Sequence, residues 1–302
     1  MNFKKGILLL LFCILYLVIS SAQDLYMDDS QIQSQLKIQA QKGQGKGFFS
    51  LERLSIGAGG GINFSIIIPF SRNSIFSGLA NANYDKEYNA FIENLGTQFG
   101  FYVLYDINQF IKLSLCPSSN DYTYKYSTSY QWSGNTNLVY DTEYSQKIRM
   151  YEVPLQVGLY LNYGQFQPYF QGGVYYGRLV SGTSDMSVIE SSSNLAGSVQ
   201  SLNYSTSANS GNLYQKNHYG LLAGAGISYL FGKSRLSLEA SYKVLLSDLN
   251  SVETVFGNNQ IVSGNYDVPD KFKFSNLSVN LILVVPLKCK NSDSRGSAVF
   301  CE

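Results

Sequence analysis

Residues 54–68 read LSIGAGGGINFSIII, and their chemical character changes at every second position. The even positions are mainly apolar, whereas the odd positions from Ser55 to Ser65 carry only serine, glycine and asparagine. A helix would not keep this phase, because its faces repeat about every 3.6 residues, whereas successive side chains of a strand point to opposite faces. The stretch therefore predicts a β-strand with one apolar face and one small, polar face.

The same alternation returns seven times, so the sequence predicts eight strands. The other seven lie at 98–105, 111–115, 151–161, 166–177, 218–229, 235–244 and 277–285. None of these segments holds the 18 or more consecutive apolar residues of a membrane helix. The chain is therefore expected to be built from two-faced strands.

Short and long connections alternate strictly between these strands. The short ones lie near 106–109, 162–165 and 232–234, and the long ones at 69–96, 117–147, 181–217 and 247–271. In an antiparallel sheet this order places every tight turn at one end and every long loop at the other, which is typical of outer-membrane barrels. We predict an all-β fold: an eight-stranded antiparallel transmembrane β-barrel, up-and-down, with long extracellular loops and short periplasmic turns.

The composition separates this fold from a soluble barrel. Charged residues make up 14% of the 302 residues, against roughly 25% in an average soluble domain. The polar faces consist largely of Gly, Ser, Gln and Asn, which is too little charge to solvate the outside of a lipocalin-like barrel. The formal net charge of +1 gives no electrostatic reason to expect nucleic-acid binding.

The first 22 residues have the features of a cleaved signal peptide. Lys4 and Lys5 precede a short apolar core, and Ser20 and Ala22 supply the small residues of a cleavage site. We predict a signal peptide at 1–22, a periplasmic segment at 23–50, the barrel at 51–287 and a periplasmic tail at 288–302. The expected location is the cell outer membrane.

Three segments together resemble the PorT-like outer-membrane β-barrel proteins of the Bacteroidetes. They are YEVPLQVGLYLNYGQFQPYFQGGVYYGRL (151–179), HYGLLAGAGISYLFGKSRLSLEASYKVLLSDL (218–249) and FSNLSVNLILVVPL (274–287). The resemblance implies a barrel and an outer-membrane location. Because that family includes a component of the type IX protein secretion system, it also implies accessory work in protein export. The chain departs from the family at Ser241, where an Arg is frequent, and in its tail.

Charged residues on the predicted inner faces form the first candidate site. Arg235, Glu239 and Lys243 alternate along one strand, and Glu152 and Lys112 are expected to meet them across the lumen. A small barrel is filled by its own side chains. The favoured interpretation is a structural ion-pair network that plugs the interior; the alternative is a narrow ion path or a small-molecule-binding barrel.

Aromatic residues in the second long connection form the second candidate site. Tyr122, Tyr124, Tyr126 and Trp132 alternate with polar residues, which indicates a hairpin that protrudes beyond the membrane. It is either a solvated β-extension or a surface that contacts protein or glycan. In the first long connection, 85–95 has apolar residues at helical spacing, which predicts a short amphipathic helix.

The sequence offers little for catalysis. His218 is the only histidine, and a lipid-modifying barrel enzyme would need it beside loop residues such as Ser184 and Asp185. No motif supports that arrangement, so no catalytic residue, metal site or cofactor is predicted. The expected function is that of a non-enzymatic interaction or scaffold protein, a monomeric barrel whose partners are outer-membrane lipid and envelope or secretion-system proteins.

Overall fold

The computed structural model of the protein describes residues 53–71, 83–131, 137–161, 164–193, 199–232, 234–250 and 270–287. The predicted signal peptide, the 23–50 segment and the 288–302 tail lie outside these residues. The strands are β1 (Leu54–Ser71), β2 (Asn83–Tyr88), β3 (Leu95–Asp106), β4 (Ile111–Leu115), β5 (Ser118–Gln131), β6 (Leu138–Tyr160), β7 (Phe166–Ser193), β8 (Val199–Asn209), β9 (Asn217–Phe231), β10 (Ser234–Leu245) and β11 (Lys271–Pro286). Among the described residues, no helix is long and apolar enough to cross a membrane.

Eight strand positions close into a ring, which confirms the predicted fold. The order around the ring is β1, β3, β4 with β5, β6, β7, β9, β10 and β11, and β11 pairs back onto β1. Every pairing is antiparallel. β4 and β5 share one position, because Cys116 and Pro117 interrupt a single barrel strand. Proline has no N–H to donate to a ladder, but its carbonyl still accepts a hydrogen bond from Phe101 N at 2.9 Å.

The predicted short turns gather at one end of the ring. In the β3–β4 turn, Asn108 Oδ1 accepts hydrogen bonds from the backbone N–H groups of Phe110 and Ile111, at 2.8 and 2.7 Å. Gly232, between β9 and β10, has a φ of 60°, which glycine adopts without the strain that a Cβ would cause. We call this end of the barrel the turn end and the opposite end the loop end.

The two faces of the strands are polar inside and apolar outside. On β1, Asn63 and Ser65 are fully buried in the lumen, whereas Ile56 and Ile62 are exposed on the outer surface. The same arrangement around the ring produces an apolar belt, whose exposed members include Phe99, Phe101, Val153, Leu155, Val157, Leu159, Phe170, Val174, Leu221, Ile227, Leu236, Leu238, Leu281 and Leu283. Exposed aromatic residues border the belt: Tyr151, Tyr176 and Tyr219 towards the loop end, and Phe166, Tyr229 and Phe231 towards the turn end.

Several strands continue well past the belt at the loop end. β6 is 23 residues long and β7 is 28, and both extend beyond the ring together with β5. β2 pairs with the outer half of β5, and β8 pairs with the outer half of β7. These strands form what we call the extension sheet, in the order β2-β5-β6-β7-β8. Much of the predicted loops at 117–147 and 181–217 is therefore strand.

The predicted helix at 85–95 is wrong. Asn83–Tyr88 form strand β2, and a single 3-10 turn follows at Phe91–Glu93. Tyr88, one of the apolar residues of that pattern, instead packs against Tyr126 of β5, with the rings tilted and their centroids 5.4 Å apart. Pairing with a long neighbouring strand here outweighs a weak local helical pattern.

Candidate functional site

Buried ion pairs occupy the middle of the lumen. Glu152 of β6 accepts a hydrogen bond from Lys243 Nζ of β10 at 2.7 Å and another from the Tyr122 hydroxyl at 2.6 Å. Both members of the pair are nearly excluded from solvent. A buried pair of this kind persists only with good geometry and further hydrogen bonds, which Tyr122 supplies. The structure thus brings Glu152 and Lys243 together across the lumen.

Lys112 lies nearer the turn end and contacts a different group. Its ammonium binds Asp106 Oδ1 at 2.8 Å, and Asp106 is partly exposed. Lys112 also lies over the ring of Tyr160, 4.9 Å from the centroid. Lys112 therefore belongs to a pair with a residue of the neighbouring strand, and not to the Glu152–Lys243 contact.

Arg235 and Glu239 are the two predicted lumen residues that find no charged partner among the described residues. Arg235 is only 8% exposed, its Nε and Nη1 atoms have no hydrogen-bond partner there, and its guanidinium lies 5.6 Å from the centre of the Tyr160 ring. Glu239 is 4% exposed and accepts a hydrogen bond from the Tyr169 hydroxyl at 3.0 Å. Both line a cavity of about 20 Å³, room for about one water molecule.

Aromatic side chains fill the lumen towards the loop end. Tyr122 packs edge-on against Phe274, with centroids 5.3 Å apart, and Tyr126 stacks on Tyr144 at 4.7 Å. The buried cluster around them includes Tyr124, Ile148, Met150, Tyr175, Leu213, Tyr214, Leu222, Leu245, Leu249 and Phe272. We call this set the aromatic plug. Beside it, Lys86 and Asp270 form an ion pair at 3.4 Å with both side chains almost fully buried.

The tyrosines of the second candidate site belong to this plug. Tyr122, Tyr124 and Tyr126 are each at most 5% exposed, because they lie on the inner face of β5. Their rings are therefore not on the outer surface, where the contact hypothesis would need them. Trp132 lies outside the described residues.

His218 is fully buried near the loop end of the barrel. Its Nδ1 lies 3.3 Å from Ser247 Oγ, and its Nε2 has no hydrogen-bond partner among the described residues. Ser184 and Asp185 contact other groups: Ser184 Oγ accepts a hydrogen bond from Gln146, and Asp185 binds Lys147. The histidine is thus not exposed to a substrate, and among the described residues it forms no hydrogen bond with Asp185, the loop acid that a hydrolytic triad would need.

A groove of about 910 Å³ lies on the face of the extension sheet that points away from the plug. Its floor consists of two cross-strand rows defined by the registers of β5 to β8. The first row is Lys125, Ser145, Asp185 and Ser207, and the second is Ser127, Glu143, Ser187 and Ser205. Asn89 and Glu93, from the segment after β2, line it as well. Tyr126, Tyr144, Met186 and Thr206 lie between the two rows and also border the groove, although they alternate with the row residues and so belong to the other face of the sheet. The floor side chains are therefore hydroxyls, carboxylates and one ammonium.

The charges in the groove are only partly neutralised. Asp185 accepts hydrogen bonds from Lys147 Nζ at 2.8 Å and from Ser207 Oγ at 2.7 Å. These hydrogen bonds hold the pKa of Asp185 below its ordinary value, and the hydrogen bond from Lys147 has the larger effect. Lys125 and Glu143, in contrast, have no side-chain partner among the described residues.

This groove is not evident from the sequence alone. The available signal was the set of positions between the tyrosines: Thr123, Lys125, Ser127 and Ser129 alternate with Tyr122, Tyr124, Tyr126 and Thr128. Recognising the groove also required the register of four strands. In the described residues, no group of three or more His, Cys, Asp or Glu side chains is arranged to hold a metal ion.

A closed antiparallel barrel with a polar, charged interior and an apolar outer belt defines the class of transmembrane-type β-barrels. No protein-family profile and no curated protein matches the chain. Similar solved structures include the outer membrane protein OprG from Pseudomonas aeruginosa, at a TM-score of 0.38 and 12% identity over 77% of this chain and 94% of that one. The attachment invasion locus protein Ail of Yersinia pestis gives 0.30 and 12% over 76% and 97%. The outer membrane protease OmpT from Escherichia coli gives 0.33 and 10% over 80% and 99%. Similarities this low do not indicate a function.

Proposed function

We propose that the protein is a closed outer-membrane β-barrel that carries a non-enzymatic binding platform outside the cell. The observation that carries the proposal is the contrast between the two halves of the molecule. The lumen is filled by ion pairs and the aromatic plug, whereas the extension sheet presents a large open groove. A barrel built to transport would be expected to keep its space inside.

The apolar belt supports the membrane location. Ten residues separate Phe166 from Tyr176 along β7, which corresponds to about 33 Å of strand. At the usual barrel tilt of roughly 40° this spans about 25 Å, the height of the apolar band of outer-membrane barrels. The bordering aromatic residues match the girdles at the two membrane interfaces. The groove then lies on the side of the long loops, which is the extracellular side.

The filled lumen argues against the alternative of a narrow channel. Cavities beside Glu239 and Lys243 measure about 20 Å³ each, which does not make a continuous path. In planar lipid bilayers, the purified protein is expected to give no discrete conductance steps. Regular steps whose size changes in a Glu239→Gln variant would overturn the closed-barrel proposal.

The absence of an enzymatic role is part of the proposal. Burial of His218 beside Ser247 supports a structural histidine, because a lipid ester has no approach to its ring. Under a lipid-modifying mechanism, His218→Gln would abolish phospholipid hydrolysis or acyl transfer in reconstituted vesicles. We expect no such activity in the unmodified protein, and a turnover that His218→Gln removes would contradict this.

The resemblance to PorT-like barrels supports a more specific role as an accessory scaffold for protein secretion of type IX. Its test is crosslinking in native outer membranes, followed by purification of the tagged protein and mass spectrometry. Recovery of secretion-machinery subunits would support the role, and their loss from a variant with a shortened extension would assign the contact. Recovery of the barrel alone would remove the secretion role.

A further inference from the structure

We propose that the groove of the extension sheet binds a neutral oligosaccharide. The inference rests on the proposed function, because it needs the extension to face the cell exterior. The side chains that line the groove, and the absence of partners for two of their charges among the described residues, indicate the chemical class of the ligand.

The size of the groove suits a short sugar chain. Neighbouring strands lie about 4.8 Å apart, so a row of four side chains spans about 14 Å. A volume of about 910 Å³ is at the upper end of small-ligand sites. The two parallel rows offer polar groups at regular intervals in both directions, as an oligomer of hydroxyl-bearing rings would require.

The unpaired charges favour a ligand that both donates and accepts hydrogen bonds. The Lys125 ammonium only donates and the Glu143 carboxylate only accepts. These residues are diagonal neighbours on β5 and β6, and they form no ion pair with each other. A sugar hydroxyl can accept from Lys125 and donate to Glu143, so one neutral molecule satisfies both.

The same charges disfavour charged polymers. A sulfated or phosphorylated polymer would meet the carboxylates of Glu93, Glu143 and Asp185, and a polyamine would meet the ammonium groups of Lys125 and Lys147. Like charges brought together in an interface cost affinity. Neither kind of polymer fits the groove as well as an uncharged one.

An extended peptide is also a poorer fit. The backbone N–H and C=O groups of β5, β6 and β7 are used in continuous ladders across the floor. Among the described pairings, a peptide can therefore pair only with the outer edge of the end strand β8, and not across the floor itself. The outward side chains of both rows are polar and provide no apolar pocket for an anchor residue. The rings of Tyr126 and Tyr144 point to the plug, so a sugar is held by hydrogen bonds without stacking, which predicts millimolar affinity.

The test uses the full-length protein in phosphocholine nanodiscs, because sugar-headed detergents would compete. Maltohexaose, cellohexaose and mannohexaose serve as neutral probes, with a heparin hexasaccharide and chitosan hexamer as charged comparators. Binding is measured by saturation-transfer NMR and calorimetry. We expect saturable binding of at least one neutral probe and weaker binding of both charged ones.

Single substitutions then locate the site. Glu143→Gln and Lys125→Met are each expected to weaken binding of the neutral probe about tenfold. Asp141→Asn, two residues from Glu143 on the same outward face of β6 and outside the groove lining, is the control and is expected to leave binding unchanged. Unchanged heat-modifiable migration shows that each variant is folded.

Two results would overturn the inference: no saturation by any neutral probe at about 10 mM, or tighter binding of the heparin or chitosan comparator. A neutral sugar that binds all four proteins equally would place the sugar site elsewhere and also contradict it. The proposed function is tested separately by conductance and crosslinking. If the barrel does not conduct and is crosslinked to partner proteins but binds no sugar, the oligosaccharide inference is refuted and the proposed function is not.

Discussion

The charged residues of the lumen differ in whether their burial is compensated. Lys243 and Glu152 neutralise each other at 2.7 Å, whereas the Nε and Nη1 atoms of the buried Arg235 have no partner among the described residues. Removing one member of a buried pair leaves an uncompensated charge, but removing a buried charge without a partner relieves a desolvation cost. Similar substitutions should therefore have opposite effects at Arg235 and at Lys243.

We expect Lys243→Met to lower the free energy of unfolding by about 3–5 kcal/mol, because Glu152 is left buried with only the Tyr122 hydroxyl. Arg235→Met should leave it unchanged or raise it, since the lost ring contact with Tyr160 is worth about 1 kcal/mol or less. Urea unfolding in lipid vesicles measures both. Equal losses in the two variants would mean that Arg235 has a stabilising partner.

Asp185 provides a pH-dependent contact on the extension. Its pKa is lowered first by the hydrogen bond from Lys147 and then by that from Ser207. A carboxyl whose pKa is lower folded than unfolded stabilises the fold above the unfolded value, about 3.9, and loses that contribution as the pH falls through the folded value. The pair is substantially exposed, so the contribution is small.

A ¹³C NMR titration of the Asp185 carboxyl should give a midpoint below about 3.9. Lys147→Met should move that midpoint upwards, and by more than Ser207→Ala does, because the lysine is the larger cause of the shift. A midpoint that stays in place in Lys147→Met would show that the ion pair does not persist in solution.

Glycines on the inner face of β9 make room for tyrosine rings from β7. A Cβ on Gly226 would lie 2.5 Å from Cζ and Oη of Tyr169, the residue that donates a hydrogen bond to Glu239. At Gly172, on β7, a Cβ would have 3.8 Å to its nearest neighbour, the Leu222 carbonyl oxygen. The two glycines therefore differ in whether a methyl group fits.

Gly226→Ala should destabilise the barrel by about 1–3 kcal/mol, because the Tyr169 ring must shift away from Glu239. Gly172→Ala is the matched control and should change stability by less than about 1 kcal/mol. Urea midpoints of the two variants test the difference. A similar midpoint for both would indicate that Tyr169 has another position of equal energy.

The elements that could be predicted from the sequence are those specified by neighbouring residues. Alternation is local, so the eight ring strands and the turns at Asn108 and Gly232 were predicted correctly. The extension was only partly recognised, because a bulge between β6 and β7 at Arg149 and Met150 changes which positions of β7 face inward. If alternation is followed with the same set of odd or even positions along the whole of β7, the pattern breaks down at this bulge and the strand is predicted to end there.

The candidate sites depended on distant residues and were less predictable. Inward charges could be identified from strand parity, but their partners depend on the stagger of the barrel, which no local pattern encodes. Lys112 therefore contacts Asp106, and Glu152 contacts Lys243, in a combination that parity alone does not distinguish. The groove required four strands in register.

At the scale of the whole molecule, the barrel and the extension use different stabilising interactions. The ring is closed by continuous ladders, whereas β2 and β8 are end strands of the extension. The described part of the barrel should therefore stay folded when the outer half of β7 and the end strand β8 are removed together. The pairings of the inner half of β7 with β6 and β9, which belong to the ring, are kept.

Replacing residues 183–209 by a short glycine-serine turn should leave heat-modifiable migration on gels intact, since a folded barrel migrates differently before and after boiling. The variant should lose the groove and with it the binding described above. If unboiled and boiled samples of this variant migrate alike, the outer half of β7 together with β8 is required for barrel folding. The same result for the unmodified protein would contradict a stable barrel altogether.

The pairing of β1 with β11 also determines how the protein comes into being. Its register joins Ser55 to Pro286, so the contact that closes the ring spans almost the whole described chain. Contacts between residues so distant in sequence form late and slowly, because a very long loop must close first. Until they form, β1 and β11 are open edges whose backbone groups have no partners, a state that lipid does not tolerate. The ring, and with it the continuous apolar belt, is therefore complete only when its first and last strands meet.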